Sequence, residues 1–188
     1  KNNDFISFKQ GVPPHVPEKQ ARDLFRDVRK GMGLNEEHSR GVFKAIFVTG
    51  GPGSGKDIII REAIAEMNAV ELSTKQAHAM LNDKHALTKN ESIRNRGPLI
   101  INGPADDCDR ILYIKEELEE LGYITMMVFV ETSNEASQER NTKLSRMMVE
   151  SIRHDKWVKS QENLKLYTEK FNKFVSFDNN KSIEYIEE

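Results

Sequence analysis

The stretch Val42-Phe43-Lys44-Ala45-Ile46-Phe47-Val48-Thr49-Gly50-Gly51-Pro52-Gly53-Ser54-Gly55-Lys56-Asp57 decides how the rest of the chain is read. Apart from Lys44, its first eight residues are apolar, β-branched or aromatic. Such a run predicts a strand buried on both faces, the habit of parallel sheets. Glycines end it, and Ile58 to Met67 then has helical character. Gly50 to Lys56 has the spacing G-x-x-x-x-G-K between a strand and a helix, the context this motif requires. Glycines let successive backbone N–H groups converge on phosphate oxygens. The helix N-terminus adds partial positive charge. Lys56 adds a full charge, placed for the β- and γ-phosphates of a nucleoside triphosphate. The binding set is therefore Gly50, Gly51, Pro52, Gly53, Ser54, Gly55, Lys56 and Asp57.

Outward from this stretch, strands and helices alternate. Val70-Glu71-Leu72 reads as a second strand, with Ser73 and Thr74 as caps for a helix to about Leu81. Residues 82–96 are polar and partly helical. Pro98-Leu99-Ile100-Ile101 is a third strand, stopped by Asn102-Gly103-Pro104. Asp106 and Asp107 open a helix to Leu121, with Ile111, Leu112, Ile114, Leu118 and Leu121 on one face and Gly122 as its stop. Residues 124–130 form a fourth strand. A helix runs from its cap Ser133 to about Arg146, and residues 147–173 are largely helical. Phe174-Val175-Ser176-Phe177 is the fifth strand. The pattern predicts an α/β fold with a mostly parallel sheet. Ligands of such sheets bind beyond the carboxyl ends of the strands. Upstream, residues 1–16 read as an extended arm with room for a protein partner, and residues 17–188 as one domain, opening with a helix from Pro17 to about Gly31.

Composition narrows the function. The 188 residues carry 28 basic and 30 acidic side chains, net −2, which leaves a nucleic-acid partner possible but does not indicate one. One cysteine, Cys108, excludes an intrachain disulfide and a multi-cysteine zinc site, and fits a reducing compartment, so a cytoplasmic location is expected. No run approaches the ~18 apolar residues of a membrane span. No signal-peptide pattern opens the chain, although residue 1 is not Met.

The metal positions depart from the usual pattern. The residue after the lysine is ordinarily Ser or Thr, whose hydroxyl holds Mg²⁺. Here it is Asp57. A carboxylate can ligate the metal and suits a helix N-terminus. It also brings negative charge toward the phosphates. Direct ligation, weak or metal-free nucleotide binding, and binding of some other phosphate all stay open. The acid expected after a second buried strand is replaced by Asn102, which can bond a metal-bound water but brings no charge. Asp106 and Asp107 follow; they could serve the metal, face a substrate, or simply cap the next helix.

Gly50-Gly51-Pro52-Gly53-Ser54-Gly55-Lys56 followed by Leu99-Ile100-Ile101-Asn102-Gly103-Pro104 resembles the P-loop kinase superfamily. Its nucleoside monophosphate kinases carry h-h-h-D-G-x-P at the second place, with Asp where this chain has Asn102. Val130-Glu131-Thr132-Ser133 with Glu135, Glu139-Arg140-Asn141 and Arg146 looks like the fourth strand and its arginine-bearing helix. The zeta-toxin and polynucleotide-kinase-like branch is the nearest in character, over about residues 43–178. The resemblance implies a three-layer αβα P-loop NTPase fold with five strands in the order 2-3-1-4-5. It implies ATP or GTP with Mg²⁺, transfer of the γ-phosphoryl group to an acceptor not yet identified, and metal contacts at Asp57 and Asn102.

Transfer needs positive charge around the moving phosphoryl group. Arg140 and Arg146 are the candidates, and Arg153 joins Arg146 on one face if residues 139–153 stay helical. The alternative is solvated charge paired with Glu135, Glu139 and Glu150. Lys56, Arg140, Arg146 and Asp106 make up the expected catalytic set. Glu71, Ser73 and Asp106 are the candidates for orienting an acceptor hydroxyl. His78 and His85 read as surface histidines. Trp157, Tyr167, Phe171 and Phe174 read as core packing. A phosphotransferase, a non-catalytic nucleotide switch and a motor-type ATPase are the readings in play. The last lacks an acidic second strand.

Overall fold

In the computed structural model, which describes residues 44–144 and 147–180 together with Arg26, five strands form one sheet. They are β1 (Lys44–Gly50), β2 (Val70–Ser73), β3 (Leu99–Pro104), β4 (Ile124–Glu131) and β5 (Phe174–Asp178). The order is β2-β3-β1-β4-β5 and every pairing is parallel. All seven residues of β1 are buried, as its composition predicts for the central strand. The arm at 1–16, the helix expected from Pro17 (apart from Arg26), Val42 and Phe43, and Arg146 lie outside the described residues.

Side-chain alternation divides β1 between two cores. Ala45 and Phe47 join Leu99, Ile101, Met127 and Phe129 on one face. That face is covered by α2 (Thr74–Asn82), α5 (Cys108–Glu120) and α7 (Glu150–Lys170). Ile46 and Val48 join Ile100, Met126, Val128 and Val130 on the other, against Ile59, Ile60 and Ala63 of α1 (Lys56–Met67). Two short helices, α3 (Lys84–Lys89) and α4 (Glu91–Arg94), fill the polar stretch after α2, and α6 (Asn134–Thr142) precedes α7.

Local chemistry sets the boundaries. Ser73 and Gln76 form a reciprocal capping box at α2. Asp83, Asn90 and Ser133 cap α3, α4 and α6. Gly122, at φ 90°, ends α5 in a Schellman turn, with the N–H of Tyr123 donating to Leu118 and that of Gly122 to Glu119.

Three expectations are corrected. The helix after β3 begins at Cys108 with Asp107 as its cap, so Asp106 stands outside it. Leu121 falls at the end of that helix and is 36% exposed, because the chain turns there before the fifth apolar position can face the core. The helical path from 133 to 173 is broken between Thr142 and Glu150. Asn141 pairs with both the N–H and the C=O of Met148 across that break. Residues 147–149 lie outside any helix, so residues 139–153 do not form one continuous helix.

Candidate functional site

The loop from Gly50 to Gly55 leaves the carboxyl end of β1, and Lys56 begins α1. Gly53 and Gly55 adopt φ of 68° and 81°, a region where a Cβ is strained. At Gly53 there is a second reason, since an added Cβ would sit 3.0 Å from the carbonyl oxygen of Ser137.

Three consecutive loop carbonyls are tied to the protein body. The Ser137 hydroxyl donates to Pro52 (2.6 Å), Arg140 Nη1 to Gly53 (2.9 Å) and Asn179 Nδ2 to Ser54 (2.7 Å). Arg140 Nη2 also donates to the Asn179 carbonyl at 2.6 Å, which locks two of these braces together. The C=O and N–H of a trans peptide point in opposite directions. Tying the carbonyls of Pro52 and Ser54 inward therefore turns the N–H groups of Gly53 and Gly55 away from the body. Among the described residues no side chain caps α1 at Gly55, and of its first-turn N–H groups that of Ile58 donates to the Gly55 carbonyl. Among the described residues Lys56 has no hydrogen-bonding or ion-pair partner. The loop thus presents donors and a cation together, an arrangement chemically able to receive an anion.

Arg140 and Arg153 are both buried and hydrogen-bonded within the protein. Arg140 is 8% exposed and braces the loop from the α6 side. Arg153, fully buried, donates to Ser137 Oγ, Asn134 Oδ1 and both oxygens of Glu150. Both terminal nitrogens of Arg140 thus serve backbone carbonyls, Gly53 through Nη1 and Asn179 through Nη2.

Asp57 is exposed in the first turn of α1. Asn102 is half-buried on β3 and donates Nδ2 to Glu71 Oε1 at 2.9 Å. Ser73 is occupied by its capping box. Asp106 pairs with Lys156 at 2.7 Å, and Asn163 and the Tyr167 hydroxyl hold the Ala105 carbonyl beside it. Asp106, Asp107, Cys108, Asp109, Lys159 and Asn163 line an open depression of ≈ 470 Å³. Burial pushes the Cys108 thiol up, which keeps it protonated and a poor nucleophile.

Buried polar side-chain atoms without a partner among the described residues are Thr49 Oγ1, Ser54 Oγ, Asp106 Oδ1 and Thr132 Oγ1. All four lie at the carboxyl edge of the sheet. Unsatisfied groups of this kind cost about 1–3 kcal/mol each, and they concentrate where a polar ligand would sit.

Several of these features escape sequence reading. Ser137 and Asn179 sit far from the loop in sequence and match no motif. Trp157, expected in the core, is half-buried with Cδ1 3.3 Å from where a Gly51 Cβ would stand, and its Nε1 donates to the Thr132 carbonyl. Tyr167 and Phe171 do join the core as expected. His78 bonds Asn82 and packs on Tyr113.

Mg²⁺ is the ion this fold implies. It is held through one or two carboxylates with phosphate and water rather than in an all-protein cage. Among the described residues no three His, Cys, Asp or Glu side chains gather into such a cage. Asp57 and Asn102 offer hard oxygen donors, and the Asn102–Glu71 bond sets a carboxylate beside β3. The residues present fit the ion.

The fold is that of the P-loop kinases. It is similar to a gluconokinase from Sinorhizobium meliloti 1021 at TM-score 0.52, 14% identical, covering 77% of this chain and 87% of that one. A shikimate kinase from Acinetobacter baumannii, in complex with shikimate, is similar at TM-score 0.49, 13% identical, over 80% and 90% of the two chains. A structure of the PezAT chromosomal toxin–antitoxin system of Streptococcus pneumoniae is similar at TM-score 0.48, 14% identical, over 92% and 82%. No protein-family model matches the sequence, and no curated protein matches it. No helix among the described residues is long and apolar enough to cross a membrane.

Proposed function

We propose that this chain is a P-loop phosphotransferase that binds ATP or GTP on Gly50–Asp57 and moves the γ-phosphoryl group to a small-molecule or nucleotide acceptor. The observation that carries this reading is the tied-back loop: its carbonyls serve Ser137, Arg140 and Asn179, while its glycine amides and Lys56 remain available. Lys56 neutralises charge on the β- and γ-phosphates. The α1 N-terminus adds oriented N–H groups. Asp57 and Asn102 are the residues that would hold Mg²⁺, which supplies charge neutralisation between the phosphates when bound.

The depression beside Asp106 is the acceptor side of this reading. Lys159 lines it, and Lys156 holds the Asp106 carboxylate, which is placed to orient an acceptor hydroxyl. A zeta-toxin-like or polynucleotide-kinase-like acceptor belongs to the same proposal. Arg146 remains its candidate for the transferring group.

The second reading is a nucleotide-binding switch without transfer. The hydrogen bonding of Arg140 and Arg153 favours it, because each guanidinium already has partners within the protein. One experiment decides between them. Purified protein is screened for ATP consumption and phosphoryl transfer to nucleosides, sugars, nucleotide sugars and polynucleotide ends, alongside calorimetry with ATP. Binding with transfer supports the phosphotransferase. Binding without transfer to any acceptor supports the switch. Absence of binding removes both.

A further inference from the structure

We propose that Glu71, from the neighbouring strand, supplies toward a nucleotide-bound divalent cation the negative charge that β3 lacks at Asn102; this rests on the nucleotide reading above. The strand register sets the geometry. Glu71 pairs with Ile100 and Ser73 with Asn102, so Glu71 lies one pleat farther from the carboxyl edge than the asparagine it bonds. Residues paired in register share a face. Ile100 belongs to the face covered by α1, so Glu71 and Asn102 stand on the side where Asp57 opens that helix. Ser73, directly beside Asn102, is committed to Gln76 in both directions of its capping box. The group that reaches Asn102 is instead the long side chain from one pleat back, at 2.9 Å.

This pair carries the charge of the missing aspartate in two pieces. Asn102 donates Nδ2 to Glu71, which leaves its Oδ1 to accept from a metal-bound water. Glu71 is half-buried, and among the described residues it has no cationic partner. Its second carboxylate oxygen has no partner of any kind among the described residues. A carboxylate drawn partly out of water without a countercharge is unfavourable. A divalent cation at the adjoining edge is the partner that relieves it. At an effective dielectric near 20, a full charge several ångströms away changes affinity by about tenfold or more.

The test is calorimetry of ATP with and without Mg²⁺ on the full chain, the Mg²⁺ gain being the ratio of the two affinities. Glu71→Gln is expected to cut the gain about tenfold while metal-free ATP binds as well as before or better. Adding Asn102→Asp to that variant returns the charge to β3 and restores the gain. Asn102→Asp alone, with both carboxylates present, raises it. The inference is overturned if Glu71→Gln keeps the full gain, or if Asn102→Asp neither restores nor raises it. The single Asn102→Asp arm decides the matter should Glu71→Gln fail to fold, as judged by its thermal transition. If the unaltered protein binds ATP in neither condition, the nucleotide reading itself fails, an outcome distinct from a lost Mg²⁺ gain.

Discussion

Arg140 Nη1 lies 2.9 Å from the carbonyl oxygen of Gly53, and that bond fixes which way the phosphate-loop peptide faces. The same guanidinium reaches the Asn179 carbonyl, and Asn179 reaches Ser54. Helix α6 and the turn after β5 thus hold the loop from one side as a linked pair of braces. Preorganisation of this kind lowers the cost of gathering amides around an anion.

Arg140→Ala should therefore act on stability first and on binding second. Charge-assisted hydrogen bonds contribute about 1.5–3 kcal/mol each, and the site is buried. Loss of both bonds is expected to lower Tm by about 2–4 °C per kcal/mol in a chain of this size. ATP affinity should fall as well, because the Gly53 carbonyl is released. Thermal unfolding and calorimetry read the two effects. A variant of unchanged Tm with abolished transfer would instead return Arg140 to the phosphate.

Lys56→Ala should show the opposite profile. Lys56 has no partner among the described residues, so its removal leaves the fold intact. Its loss should weaken ATP binding by about a hundredfold or more, the equivalent of roughly 3 kcal/mol. Unchanged affinity in calorimetry would remove Gly50–Asp57 as the phosphate site.

Asp57→Asn separates the roles of the residue that replaces the usual hydroxyl. If its carboxylate ligates the ion, the variant loses Mg²⁺ dependence of ATP binding by about tenfold, while metal-free affinity rises as a nearby negative charge is removed. An unaltered Mg²⁺ dependence would show that Asp57 serves the helix N-terminus alone.

The fold was legible because its signals are local and redundant. The buried run at 44–50, the glycines after it and the caps at Ser73, Ser133 and Gly122 each act within a few residues. The sheet order came from the resemblance rather than from any local signal. The braces were not legible: Ser137, Arg140 and Asn179 converge on the loop from 85, 87 and 125 residues away, and nothing in their spacing marks the meeting. The partners of Arg140 and Arg153 were not legible for a related reason: only packing shows which carbonyl, hydroxyl or carboxylate a guanidinium meets. The partnership of Asn102 with Glu71 was not legible either, because the two are adjacent across strands and not along the chain.

The pH dependence of stability should reflect Glu119. Its carboxyl is held below the ordinary glutamate range; burial opposes this, but the hydrogen bonds from Lys115 and Thr125, with the Lys115 charge, prevail. A lowered acid pKa means stability that is present above the unfolded-state value near 4.5 and is lost as pH falls through the lower folded-state value. Urea unfolding between neutral pH and the acid range should show this decline, and Glu119→Gln should flatten it. A parallel decline in the variant would assign the acid sensitivity to other carboxyl groups.

Trp157 provides a reporter for the loop itself. It is the one tryptophan of the chain. Its ring packs beside Gly51, its Nε1 is bonded to the Thr132 carbonyl, and His154 stacks on it at 6.2 Å. An anion drawn into the loop changes the field and the solvent exposure of that indole, so tryptophan emission should shift with ATP in a saturable way. The midpoint should match the calorimetric affinity and move with it in Lys56→Ala. His154→Ala, which removes the stacked ring without touching the loop, should alter the baseline emission but leave the midpoint in place. A saturable signal that persists unchanged in Lys56→Ala would locate the bound nucleotide elsewhere on the protein.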